Sequence, residues 1–161
     1  MTVSWRSSIL GVILATVIGF IGIASAQTRD PLAGTWELNI AKSKFSPGPP
    51  PKSEMRTYEV TGQQEKMIAK GIDAQGKPTL VQFTANRDGK DSPYTGSPLI
   101  DTVALTPVDA FTLTFSTKKD GKVVFTGTRA ISKDGKTLTL SSKGTGQDGQ
   151  PVENISVYDK R

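Results

Sequence analysis

The run "KVVFTGTRAISKDGKTLTLSSK", residues 122–143, decides how this chain folds. Val123 and Phe125, then Leu138 and Leu140, recur at every second position, and "SKDGKT" (132–137) stands between the two runs. A period of two is the signature of a strand with one dry and one wet face. Asp-Gly suits the tight connection between antiparallel neighbours because it tolerates positive φ. The segment therefore reads as a β-hairpin.

The same pattern extends outward in both directions. "NRDGKD" (86–91), "KKDGKV" (118–123) and "GQDGQP" (146–151) repeat the turn, and "IDAQGKP" (72–78) is a looser version. Val81, Phe83 and Ala85, then Val103 and Leu105, then Phe111, Leu113 and Phe115 repeat the apolar alternation. Thr112, Thr114, Ser116, Thr137, Thr139 and Ser141 take intervening positions suited to water. Strands are expected at 34–40, 54–61, 65–73, 79–87, 101–106, 111–118, 122–131, 136–143 and 152–159, with a short tenth near Lys90 to Thr95. No stretch beyond residue 26 shows a helical apolar stripe. A meander of this length leaves long exposed edges unless it closes on itself. The expected fold is all-β, a single up-and-down antiparallel β-barrel of eight to ten strands. A two-sheet sandwich is the rival, but it needs Greek-key crossings for which hairpin-length turns leave little chain.

The N-terminal part separates from this pattern. Ile9 to Ala24 is an apolar run preceded by Arg6 and followed by Ala24-Ser25-Ala26, with small residues at the two positions a signal peptidase reads. The expectation is a signal peptide at 1–26, cleaved after Ala26, and one barrel domain at 27–161 in a periplasmic or secreted location. A retained anchor is the alternative, since the sixteen apolar residues fall only a little short of the ~20 that span a bilayer. With no cysteine in the chain, neither a disulfide nor a lipid-modified cysteine is available. Twenty basic and fifteen acidic residues give a net charge of +5, or +4 without Arg6. The charge is spread without a basic block, so a solvated surface is expected, with no nucleic-acid partner and no stable membrane insertion once the signal is gone.

Little chemistry rises from the composition. The absence of histidine and cysteine removes the usual general base near neutral pH, thiol nucleophiles and the common zinc ligand sets. No catalytic residue, metal or cofactor is expected. Asp88, Asp120, Asp134 and Asp148 fall in turns, where turn propensity explains them, and parity puts Glu37 and Glu59 on the wet face. The Gly-rich "KGTGQDGQ" (143–150) lacks the strand, lysine and helix of a phosphate loop.

"GTWELNIAKSKFSPGPPPKS" (34–53) begins as a strand carrying Trp36 and ends in Pro47, Pro49, Pro50 and Pro51. These prolines favour polyproline II and withhold donors, so the segment can cross an open barrel end without pairing to a sheet edge. It would serve as a lid carrying Phe45, or as a passive connector. "GTWELN", a long loop and a meander together are similar to the calycin group, the lipocalins and fatty-acid-binding proteins, whose Gly-x-Trp motif Gly34 and Trp36 match. With "DSPYTGSP", "GTRAISKDGKTLTL" and "NISVYDKR" added, the chain resembles small exported bacterial proteins of lipocalin-like type that carry no known activity. The resemblance implies that Trp36 closes the barrel bottom under a basic residue, with Arg129, Lys160 and Arg161 as candidates. The chain lacks the lipocalin Thr-Asp-x-Tyr stretch, and "AKSKFSPGPPPKS" stands where fatty-acid-binding proteins insert two helices.

Parity puts two arginines on dry faces, Arg129 with Phe125 and Ile131, and Arg56 with Tyr58 and Val60. An unpaired buried charge costs several kcal/mol. Three readings stay open for Arg129: stacking on Trp36, binding an anionic ligand head, or being turned to solvent by a bulge. The leading function is an exported binding protein for a small, mostly apolar ligand, with an acidic end in the version that uses the arginines. Its ligand-binding residues would be Arg129, Arg56, Tyr58, Phe83, Phe111, Phe115 and Phe125, with Gly34 and Trp36 as structural closure. The alternative is a non-enzymatic protein-interaction or envelope-stress module with a filled core; an enzyme ranks third. An internal cavity of a few hundred Å³ would favour the first over the second.

Overall fold

The computed structural model describes residues 29–146 and 148–161, so the expected signal peptide and its cleavage point lie outside the described residues. Eleven strands run in chain order: β1 (Gly34–Leu38), β2 (Lys44–Ser46), β3 (Ser53–Thr61), β4 (Gln64–Ile72), β5 (Pro78–Asn86), β6 (Ser92–Thr95), β7 (Thr102–Pro107), β8 (Thr112–Lys119), β9 (Lys122–Ile131), β10 (Thr137–Thr145) and β11 (Pro151–Lys160). A 3₁₀ turn, Ile40–Lys42, is the only helical element among the described residues. Every pairing is antiparallel, and the order β1, β3 through β11 is closed by β1 against β11, giving a ten-stranded barrel. Closure leaves no continuous exposed edge, which explains why so long a meander is stable.

The strand expected at 34–40 is in fact divided. β1 pairs with the end of β11, Trp36 opposite Lys160, whereas β2 pairs with its start, Phe45 opposite Asn154. Between them the chain leaves the sheet in the 3₁₀ turn. Asn39 caps that turn by accepting from Lys42 N at 3.1 Å, and its amide donates to Asp159 at 2.6 Å. Ser43 Oγ donates to Asn39 O and accepts from Val157 N, filling the gap in the ladder. The proline tract begins only after β2, and Lys52 N donating to Ile72 O returns the chain to the wall.

The Asp-Gly turns are not all alike. Asp120 and Gly121 form a two-residue hairpin with both φ values positive, 50° and 75°. At Gly89, Gly135 and Gly149 only the glycine has positive φ, because those connections are longer. A register shift at Thr117/Lys118 in the β8–β9 pair adds local curvature.

The barrel has two unlike ends. The segment before β1 covers one end, where Leu32, Trp36, Met67, Leu105, Leu138 and Tyr158 are among the most deeply buried side chains. The loops at 47–52, 73–77, 96–101 and 120–121, with residues 146 and 148–150, ring the other, which is the mouth.

Candidate functional site

Alternation turns one face of each strand inward, and the inward side chains do not fill the bore. A cavity of about 300 Å³ lies between the closed end and the mouth. Its apolar wall includes Met67, Phe83, Leu105, Leu113, Phe115 and Phe125, and Phe45 and Pro51 reach it from the mouth. The proline loop thus contributes to the cavity itself.

Two glycines explain why phenyl rings leave room. Gly127 is the cross-strand partner of Phe115, and Gly144 of Phe125. A Cβ on Gly127 would stand 2.5 Å from Phe115 Cζ, and one on Gly144 2.5 Å from Phe125 Cδ1. Each ring occupies the space that a side chain on the facing strand would take, so it lies along the wall instead of projecting into the bore.

Of the expected ligand residues, Arg56, Tyr58, Phe83, Phe115, Phe125 and Arg129 line the cavity. Phe111 requires correction. It lies in the turn before β8, is exposed, and borders a small recess at the closed end instead. Parity with Leu113 suggested an inward position, but alternation stops where the strand stops.

Arg129 also departs from expectation. Its two terminal nitrogens hold both oxygens of Glu65 at 2.5 and 2.7 Å, with Arg129 5 % and Glu65 0 % exposed. Glu65 is on β4 and Arg129 on β9, five strands apart in the ring of ten, so the pair ties opposite walls together. Arg87 extends the network, donating to Glu65 at 3.0 Å and to Asp30 at 2.6 Å. Arg129 stacks on Tyr58, its Cζ 5.3 Å from the ring centroid, and not on Trp36. Burial opposes its charge, but Glu65 more than compensates and raises the Arg129 pKa. With both ends of the fork engaged, Arg129 is a strut and not an open anion site.

Trp36 is fully buried at the closed end, donates from Nε1 to Leu32 O at 2.8 Å, and lies under Lys160, whose Nζ is 4.8 Å from the ring centroid. Of the three basic candidates, Lys160 occupies this position. Lys160 also donates to Pro31 O at 2.9 Å, pinning the segment that covers the end.

Arg56 is the cavity's other cation. Its Nε donates to Glu54 Oε1 at 2.5 Å, and its Cζ lies 5.1 Å from the ring centroid of Tyr158, whose hydroxyl donates to the same Glu54 oxygen at 2.7 Å. Burial works against the Glu54 carboxylate, but the charge and hydrogen bond of Arg56, with the bond from Tyr158, hold its pKa below the ordinary value. Burial pushes the Tyr158 phenol well up, so it stays a neutral donor. Burial likewise raises the Tyr94 phenol, against the pull of Arg56; its ring is 5.9 Å from that of Phe83. Among the described residues, no protein group accepts a hydrogen bond from the two terminal nitrogens of Arg56. Four N–H donors therefore remain for a molecule in the cavity. Thr117, also on the wall, has a buried hydroxyl without a partner among the described residues.

Glu54 and Glu65 were missed from sequence, although parity carried the signal: Glu54 alternates with Arg56 and Tyr58, and Glu65 with Met67 and Ala69. Both stand at or next to a strand start, where alternation has few neighbours to support it. Among the described residues, no three Asp or Glu side chains converge as a metal site would require.

No protein-family model matches the chain, and no curated protein matches it by sequence. Solved structures do. Zebrafish ileal bile acid-binding protein complexed with cholic acid is 13 % identical over 81 % of this chain and 99 % of its own, with a TM-score of 0.51. The barrel EF1p2_mFAP2b bound to DFHBI is 12 % identical over 81 % of this chain and 94 % of its own, TM-score 0.49. Apocrustacyanin C1 is 15 % identical over 85 % and 64 %, TM-score 0.44. The likeness to the zebrafish protein is one of fold, and with the closed meander above it makes this a calycin-like barrel.

Proposed function

We propose that the protein is an exported binding protein that holds one small, mostly apolar ligand inside the barrel, with the ligand's acidic end at Arg56. The observation that carries this is the cavity of about 300 Å³, at the small end of the ~300–1,000 Å³ typical of ligand pockets. Its wall is mainly apolar, and among the described residues Arg56 is the one cation on it whose two terminal nitrogens have no protein acceptor. A carboxylate can take two parallel hydrogen bonds from that fork. Cholic acid in the zebrafish barrel is a precedent for an acid in this fold. The cavity speaks against the filled-core interaction module. Export rests on the sequence pattern at Ala24-Ser25-Ala26, and intact-mass measurement should give a mature chain starting at Gln27.

The test is titration with a fluorescent fatty-acid analogue, alongside native mass spectrometry of protein taken from its own compartment. Arg56→Gln should weaken binding about tenfold or more by removing a charge-assisted pair, and Lys133→Gln, at a closed-end turn, should not. If no acidic amphiphile binds the folded protein, the reading fails. Equal binding by the two variants would remove Arg56 from the site.

A further inference from the structure

The outer wall beside the mouth differs from the threonine-rich wall of β8 to β10. Register places Met55 and Leu80 on either side of Lys70, and Ile72 between Ser53 and Pro78. Ile72 is therefore the diagonal neighbour of both Met55 and Leu80, within reach for side-chain contact. These three are 41–50 % exposed. Isolated exposed apolar residues need no explanation, but a contiguous group does.

Lysines frame the group. Lys70 is at its centre, Lys77 is in the adjoining hairpin, and Lys52 ends the proline loop. Lys52 Nζ lies 3.2 Å from where a Cβ on Gly76 would be, so the loop and the hairpin 73–77 are in contact. None of the three lysines has an ion-pair partner among the described residues, whereas Lys118 and Lys119 elsewhere on the wall are matched by Asp91 and Asp101. Of the neighbouring carboxylates, Glu54 turns inward to Arg56 and Glu37 binds Arg161, while Asp73 accepts only from the backbone of Lys77 and keeps its charge, so the three lysines outnumber it by two.

We propose that this face docks the barrel mouth onto an anionic phospholipid surface, with Met55, Ile72 and Leu80 at the headgroup boundary and Lys52, Lys70 and Lys77 on the lipid charges. Three apolar side chains are far short of the ~20–30 residues a side in a stable protein interface. A lipid surface needs no matching shape, and apolar burial plus basic charge is the combination it binds. The inference rests on the ligand reading above: an apolar ligand dissolves in lipid, and the patch adjoins the opening. Glu54 and Arg56 face the cavity from the same strand that carries Met55 outward.

The experiment is cosedimentation of the mature protein with vesicles of phosphatidylcholine alone and of equal parts phosphatidylcholine and phosphatidylglycerol. Binding should need phosphatidylglycerol and weaken with salt. At roughly fivefold per lysine, the triple variant Lys52→Gln, Lys70→Gln, Lys77→Gln should lose about 100-fold in partitioning. Ile72→Ser with Leu80→Ser should also weaken it, and Lys133→Gln with Lys136→Gln at the closed end should leave it unchanged. Absence of binding, equal binding to phosphatidylcholine alone, a triple variant that matches the control, or self-association through the patch in place of vesicle binding would overturn the proposal. Native mass spectrometry of the same samples reads the ligand separately. A retained ligand without vesicle binding sinks the docking alone, and vesicle binding without any ligand sinks the binding-protein reading alone.

Discussion

Arg129 and Arg56 each stack on a tyrosine and bond to a glutamate inside one barrel, yet they are built for different work. Around Arg129 every charge is matched across the bore: Glu65 takes both terminal nitrogens, and Arg87 and Asp30 complete the closed end. Around Arg56 the matching stops at Nε, and the pair stays partly open, with Arg56 19 % and Glu54 21 % exposed on their side chains. The lesson is that burial of an arginine in a barrel does not mark a ligand site. Whether its terminal nitrogens are left without a protein acceptor does.

The sharpest way to break this comparison is to remove one partner at each end. Glu65→Ala leaves Arg129 buried without a counter-charge, which should cost about 3–5 kcal/mol, much of the stability of a domain this size. Arg56→Gln should cost about 1–2 kcal/mol, because Glu54 keeps its bond from Tyr158 and some access to water. Urea midpoints decide between them. Equal losses would mean the two clusters play one role. Replacing the buried pair together, Glu65→Leu with Arg129→Met, should recover part of the loss, since an apolar pair leaves no uncompensated charge.

Acid should act on both ends. Asp30 is held below its ordinary 3.8 despite the opposing effect of burial, mainly by its bond from Arg87, and Glu54 is held below 4.5 by Arg56. A carboxyl whose pKa is lower folded than unfolded adds stability that is complete above the unfolded value and fades as pH falls through the folded one. The urea midpoint should therefore hold steady with respect to these groups above about pH 5 and drop below about pH 4. A midpoint that rises on acidification through that window would contradict the assignment.

How far the sequence reaches is clear from particular residues. Period-two alternation and the Asp-Gly turns located ten of the eleven strands, because both are local: a strand's dry face and a turn's positive φ are written in adjacent residues. The break after Leu38 was not legible, since it depends on β11 dividing its edge between β1 and β2. Nor was the pairing of Arg129, since Glu65 is 64 residues away and meets it only when the barrel closes. Parity says which way a side chain points, but not what stands on the opposite wall.

A smaller test concerns the glycine seats of the cavity rings. Gly127→Ala would force the Phe115 ring off the wall or shift β9 against Ser141. Overpacking of this kind should cost about 1–3 kcal/mol. It should also reduce ligand capacity, because a displaced ring moves into the bore. Gly135→Ala, at a turn with nothing within 4 Å of the added carbon but a φ of 69°, is the control for pure backbone strain: it should lose stability without losing binding. Loss of binding in both variants would point to global softening and not to the ring.

The smallest effect is expected at Lys160, the third cation over an aromatic ring. Its contact with Trp36 and its bond to Pro31 O are favourable, and a cation on a ring contributes about 0.5–1 kcal/mol at accessible sites. Burial nevertheless lowers the Lys160 pKa from 10.5, with help from the charge of Arg29. The lowered value means that the fold disfavours the charged form relative to the unfolded chain, so removing the charge sacrifices little. Lys160→Met should then cost less than about 1 kcal/mol, its apolar stem still covering Trp36. The sign of the pH dependence separates the two influences. Between the lowered folded pKa and 10.5 the unfolded chain binds the extra proton, so wild-type stability relative to Lys160→Met should rise as pH approaches 10.5. Contributions common to both proteins cancel from the difference. A relative stability that falls over that range would show that the ring contact outweighs desolvation, as the Glu65 pair outweighs it at Arg129.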